Sequence, residues 1–242
     1  MTMTDVTFPS SNGHAMRAAL ALRASTTPSP AVIVIHEIFG LNEDIRRITG
    51  CVADLGYVAL AVDLYDMPGP RMLCILRTLV GMARGDVGRV MADLEAARTW
   101  LAARPEVDAR RTGVVGFCMG GGFALLCATR APLQVAGTFY GDVPGTTEEL
   151  RGVCPVLGGF GGRDRIFAPK AARLERLLTD LGVPHDVKTY PDAGHSFMSK
   201  HPPGVMATLG AWGPMAAGFD AEAEADSWRR IEAFFGKHLR GD

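Results

Sequence analysis

The sequence predicts an α/β fold: a mostly parallel central sheet with helices on both faces and an antiparallel hairpin at its start. Three observations carry that expectation. Short β-rich runs alternate with longer stretches of helical periodicity, as in βα units. Most of those runs are continuously apolar, which suits strands covered on both faces. No repeat, linker or composition break divides the 242 residues, so one domain over residues 1–242 is expected.

The hairpin is read from residues 5–22, where Asn12-Gly13 separates two extended stretches. Strands are expected at 31–35 (AVIVI), 57–62 (YVALAV), 113–117 (GVVGF), 135–140 (VAGTFY), 155–160 (PVLGGF) and 185–190 (HDVKTY). A helix is expected from Asn42, an N-cap residue type, to Gly56. A second has apolar residues at i, i+3, i+4 spacing over 86–104 and stops before Pro105. An Ala-rich segment after Cys118 and stretches 169–182 and 226–239 also read as helices. Residues 199–220, rich in Gly, Pro and Met, resist the scheme; so long a loop often forms a lid or pocket wall.

Hydrophobic residues make up 48% and charged residues 21%, with a net charge of -1. Nothing there points to nucleic acid or an anionic membrane surface. The start is polar rather than signal-like, and no apolar run reaches the roughly 18 residues of a membrane span. The five cysteines (Cys51, Cys74, Cys118, Cys127, Cys154) are odd in number and form no CxxC pair. That favours a reducing cytoplasm over a disulfide framework or a metal site, so no metal is expected.

The chemistry concentrates in Gly116-Phe117-Cys118-Met119-Gly120, a G-x-C-x-G sequence between an expected strand and an expected helix. It matches the G-x-S-x-G nucleophile elbow with sulfur for oxygen. Small residues two before and two after relieve the crowded backbone of a tight turn. A helix N-terminus can receive an oxyanion and favours thiolate over thiol. The plainer reading is a buried cysteine beside glycines that allow close packing. A dinucleotide fingerprint does not fit, because Cys118 occupies the place of its second glycine. No G-K-[ST] follows a glycine cluster, which excludes a P-loop.

A cysteine nucleophile needs an acid and a base later in the chain, in that order. His195, in YPDAGHSF, follows the last strand; Asp164, in GGFGGRDRIF, follows the strand before it. Asp192 is the nearest rival to Asp164. Open parallel sheets place their sites at this strand edge. His14, His185, His201 and His238 lie in less suitable places, and His36 lacks the second histidine of HExxH.

Taken together, HEIFGLNEDIR, DLY at 63–65, GFCMGG, GGRD and AGHSF resemble the dienelactone hydrolase family of α/β-hydrolases, in the family's order and over nearly the whole chain. The resemblance implies the α/β-hydrolase fold and hydrolysis of an ester or lactone without metal or organic cofactor. Cys118 matches the family's nucleophile, Asp164 its acid and His195 its base. Glu37, which by itself reads as a strand-end or capping carboxylate, matches a glutamate that contacts the resting thiol. The oxyanion hole is implied to be the backbone N–H groups of Ile38 and Met119. Phe39 and Tyr140 match pocket-lining positions.

The chain departs from the pattern where dienelactone-cleaving enzymes hold the substrate carboxylate with arginines. Ser199, followed by Lys200, stands where one arginine is expected, four residues after the histidine. Arg71 or Arg77 could supply the other. The expectation is therefore a cytoplasmic hydrolase, monomer or small homo-oligomer, whose Cys118 forms a thioester. The alternatives are a carboxylesterase or thioesterase for an unrelated acyl compound, and a non-catalytic, redox-responsive binding protein with Cys118 as sensor thiol.

Overall fold

The computed structural model describes residues 1–201 and 210–241. The chain divides into two compact units, Met1–Gly113 and Val114–Asp242.

In the first unit, β1 (Thr2–Pro9) and β2 (Ala15–Leu22) form the antiparallel hairpin, in register from Thr2 opposite Leu22 to Pro9 opposite Ala15. Asn12 Oδ1 accepts from Ser10 Oγ and the His14 N–H, and Gly13 takes a φ of 81°. Ser11 anchors this turn through its N–H and Oγ on Asp93 Oδ1. β2 pairs antiparallel with β4 (Val58–Val62), which pairs parallel with β3 (Ser29–Ile35). The strand order is β1-β2-β4-β3. Successive strand residues point to opposite faces. All of 31–35 and 58–62 are buried, so both faces are covered.

Helix α1 (Glu43–Asp54) begins as its cap residue predicts: Asn42 Oδ1 accepts the Ile45 N–H at 2.9 Å. It packs on β2, β3 and β4, and α3 (Gly88–Ala102) packs on β1, β3 and β4. Between them stands α2 (Arg71–Ala83), which the sequence pattern does not announce. Met72, Leu73, Leu76, Val80 and Met82 are exposed, so its apolar residues do not mark a single buried stripe. β5 (Val107–Phe117) is longer than expected because its first half, VDARRT, is polar.

In the second unit, the end of β5 leads through Cys118 into α4 (Met119–Ala128). Then follow β6 (Val135–Phe139), β7 (Val156–Gly161), α5 (Ala168–Asp180), β8 (His185–Tyr190) and α6 (Ala221–Phe235). The order is β5-β6-β7-β8, with β6, β7 and β8 parallel in sequence. α4 packs on β6, α5 on β7 and β8, and α6 on β7. Residues 202–209 of the expected long loop lie outside the described residues. Among the described residues no helix is long and apolar enough to cross a membrane.

One polar cluster docks α6 on β8. Asp226 Oδ2 accepts from Lys188 Nζ at 2.8 Å and Tyr190 Oη at 3.0 Å, and Ser227 Oγ donates to Tyr190 Oη at 2.9 Å. The Lys188 ammonium first, with Arg229 and Tyr190 adding less, holds the Asp226 carboxyl down at about 2 from its ordinary 3.8, against an opposing cost of burial second only to Lys188. A depressed carboxyl stabilises the fold above its unfolded value and loses that contribution as pH falls toward the folded one. Urea unfolding should find Asp226→Asn less stable than wild type at pH 7, with the gap closing between about pH 4 and pH 2. A gap that does not change over that window contradicts this role for the carboxylate.

Candidate active site

The turn from β5 into α4 puts Cys118 at φ 53° and ψ -118°, a conformation a non-glycine residue rarely adopts. Such a backbone costs on the order of 1–3 kcal/mol and needs surroundings that impose it. Gly116 is one of them, because a Cβ there would overlap the Gly120 carbonyl oxygen. The Cys118 N–H donates to the Phe139 carbonyl at 3.0 Å and its own carbonyl accepts from the Gly121 N–H at 3.0 Å. The corner is thus tied to β6 in front and α4 behind. Cys118 is half-buried, and Met119 is the first residue of α4, where backbone N–H groups point out of the helix end.

Asp164 lies three residues past β7 and is fully buried. A buried carboxylate must be hydrogen-bonded. Its Oδ1 accepts the N–H groups of Ile166 (3.0 Å) and Phe167 (3.1 Å), and its Oδ2 meets His195 Nδ1 at 2.6 Å. Asp192 is exposed. Because Nδ1 faces a carboxylate, it carries the proton, and Nε2 is left with its lone pair. Nε2 is buried and has no hydrogen-bond partner among the described residues. A buried polar atom in that state calls for an explanation, and a waiting base is one.

Two rings fix the imidazole: Tyr140 at 5.1 Å and Phe167 at 4.8 Å between centroids. Tyr140 follows β6 at φ 43°, fully buried, and its Oη hydrogen-bonds Ser199 Oγ at 3.0 Å. Ser199 is itself buried, while Lys200 pairs with Glu224 at 3.4 Å and lies over the Phe219 ring.

The described end of the long loop braces these turns from behind. The His195 N–H donates to the Met215 carbonyl, the Gly218 N–H to the His195 carbonyl, and the Arg165 N–H to the Pro214 carbonyl, all at 2.9 Å. Gly194 must be glycine here, since a Cβ would overlap the Ala216 carbonyl. One segment therefore holds both the acid's turn and the base's turn.

In the first unit, the loop after β3 carries Glu37, buried, then Ile38 and Phe39, 39% and 47% exposed. Arg71 Nη1 bonds Asp63 Oδ2 at 2.8 Å. Arg77 is exposed on α2 and helps line an open cavity of about 480 Å³ between α2 and α3, whose lining includes none of the other candidate residues. Burial pushes the Cys154 thiol up to about 12, so it stays protonated at neutral pH. None of the five cysteines is in a disulfide, and among the described residues no three His, Cys, Asp or Glu side chains could together hold a metal ion.

The sequence pattern does not announce three contacts: Phe167 on His195, the 213–218 brace, and His36, which bonds the backbone on two sides beside Glu37. A histidine at a strand end directly before a candidate carboxylate was the one available signal; the other two arise from contacts distant in sequence.

A sequence model described as the dienelactone hydrolase family matches residues 16–239. A Methylorubrum extorquens protein named "Putative carboxymethylenebutenolidase" is 30% identical over 246 residues, covering 96% of this chain and 79% of that one. A dienelactone hydrolase-like promiscuous phosphotriesterase from metagenomic libraries superposes with a TM-score of 0.81 at 26% identity, covering 98% of each chain. The dienelactone hydrolase of Anabaena variabilis shares the fold, with a TM-score of 0.72 at 20% identity over 99% of each chain.

Gly116→Ala is expected to lower stability by about 1–3 kcal/mol, the usual cost of forcing atoms into a packed site. Calorimetry reads this as a lower thermal midpoint, and an unchanged midpoint contradicts the close backbone contact at the corner.

Proposed function

The chain belongs to the dienelactone hydrolase family of α/β-hydrolases, enzymes of the ester- and lactone-hydrolase type, and from that premise we propose that Cys118, His195 and Asp164 cleave a small-molecule ester or lactone through a thioester. The observation that carries this reading is His195: Asp164 grips Nδ1, two rings hold the plane, and Nε2 stands buried without a partner.

His195 Nε2 takes the Cys118 proton, and the thiolate attacks the substrate carbonyl. The tetrahedral oxyanion is received by the N–H groups of Met119 and Ile38, each donor contributing about 10²–10³ in rate. Collapse breaks the ester C–O bond; the imidazolium returns its proton to the leaving oxygen. His195 then activates a water that hydrolyses the thioester, releasing the acid and restoring the thiol. Asp164 holds the Nδ1 proton in place throughout, so Nε2 is the nitrogen that takes and returns a proton, and stabilises the imidazolium when it forms. Glu37 and Ile38 enter through the family pattern, Glu37 as the partner of the resting thiol and Phe39 as a pocket wall. Good leaving groups, such as enolates and phenolates, are preferred.

The named substrate of the family is less well supported than its chemistry. Ser199 is occupied by Tyr140, Lys200 by Glu224 and Arg71 by Asp63. None of these is arranged as a dedicated clamp for a substrate carboxylate, which favours an esterase acting on another acyl compound as the second reading. We further propose one domain over 1–242, supported by a family match that runs unbroken from residue 16 to 239. The odd number of scattered cysteines, with no CxxC pair, supports a reducing, cytoplasmic setting.

Hydrolysis of an activated aryl ester and of a dienelactone by wild type, Cys118→Ala and His195→Ala tests both readings. Either substitution should lower kcat/KM by about 10³-fold or more. Wild-type rates in both variants contradict the mechanism, and turnover of the aryl ester alone selects the esterase reading.

A further inference from the structure

His36 is fully buried at the end of β3, and the reaction just described makes no use of it. Its Nε2 lies 3.1 Å from the Leu64 N–H, which can only donate. Nε2 is therefore the acceptor, and Nδ1 carries the proton and donates to the Glu37 carbonyl at 2.5 Å. The Gly40 N–H donates to the same carbonyl at 3.1 Å. Burial holds the imidazole below its ordinary range, so the ring stays neutral and this tautomer persists.

The Glu37 carbonyl and the Ile38 N–H belong to one peptide group. Among the described residues there is no cis peptide bond, and in a trans peptide the two groups point oppositely in one plane. Gripping the carbonyl therefore aims the N–H. The next carbonyl, of Ile38, accepts Tyr65 Oη at 3.0 Å, and the Tyr65 ring packs on His36 at 4.9 Å. Ile38 and Phe39 are 39% and 47% exposed, so these two polar grips bear directly on how this backbone is oriented.

We propose that His36 is a positioning residue: its donor on the Glu37 carbonyl fixes the direction of the Ile38 N–H as an oxyanion donor, with Tyr65 fixing the following peptide. This rests on the reading of Cys118 as nucleophile and Ile38 as donor. Oxyanion donation speeds acylation by an ester but not alkylation by iodoacetamide, in which a carbon–iodine bond breaks and no oxyanion forms.

The test uses His36→Asn, whose amide can replace the Nδ1 donor, and His36→Gln, whose amide reaches only toward Nε2. Tyr65→Phe serves as a third variant should a His36 substitution fail to fold. The expected result for His36→Gln is a burst of nitrophenolate about 10–100-fold slower than wild type, with little change in KM and an alkylation rate within about twofold. His36→Asn should recover most of the burst rate, and Tyr65→Phe should lose about 3–10-fold. Equal losses in Asn and Gln, a parallel fall in alkylation and acylation, or wild-type bursts throughout overturn the proposal. Absence of any Cys118-dependent burst in the wild type overturns the nucleophile reading, and this proposal with it.

Discussion

The chain turns at Cys118 through a backbone conformation that few residues other than glycine tolerate. That turn is possible only because Gly116 carries no side chain where the Gly120 carbonyl must pass. It is held by main-chain hydrogen bonds to Phe139 and from Gly121, so its strain is distributed into β6 and α4. The same geometry brings a thiol to the first turn of a largely buried helix, half-exposed rather than sealed in the core. Strain of about 1–3 kcal/mol is small beside the burial of α4, which explains how the fold sustains it.

The remaining groups follow from parallel strands. β5, β6, β7 and β8 lie side by side in that order, and each ends just before a residue of the candidate site: Cys118, Tyr140, Asp164 and, one turn further on, His195. Asp164 is anchored by two backbone N–H groups before it touches His195, so its carboxylate is fixed independently of the base. The Met215, Pro214 and Gly218 backbone then ties the two turns together. A loop that composition marks as a candidate lid therefore acts, in its described part, as a brace.

What could be read from the sequence is what local patterns encode. Residues 31–35 of β3 and all of β4 are apolar because both faces are covered, and β8 begins and ends where its β-rich run does. Asn42 caps α1 because a short amide can reach the Ile45 N–H. The polar half of β5 and the exposed apolar residues of α2 lack such patterns and pass unnoticed. The G-x-C-x-G spacing is legible because the steric demand falls on residues near in sequence. The ring of Phe167 on His195 and the imidazole of His36 on the Glu37 carbonyl are not, because a contact's partner and angle are settled only by tertiary placement.

The central claim is that the strained corner delivers Cys118 as a nucleophile that becomes acylated. The direct measurement is acid quenching of the wild type within the first turnovers on an activated ester, followed by mass spectrometry of the peptide that contains Cys118. The account predicts that this peptide gains the mass of the acyl group, that neutral hydroxylamine removes the adduct, and that Cys118→Ala shows none. Turnover with no acyl group on Cys118 at any quench time, or an adduct that persists in Cys118→Ala, contradicts it.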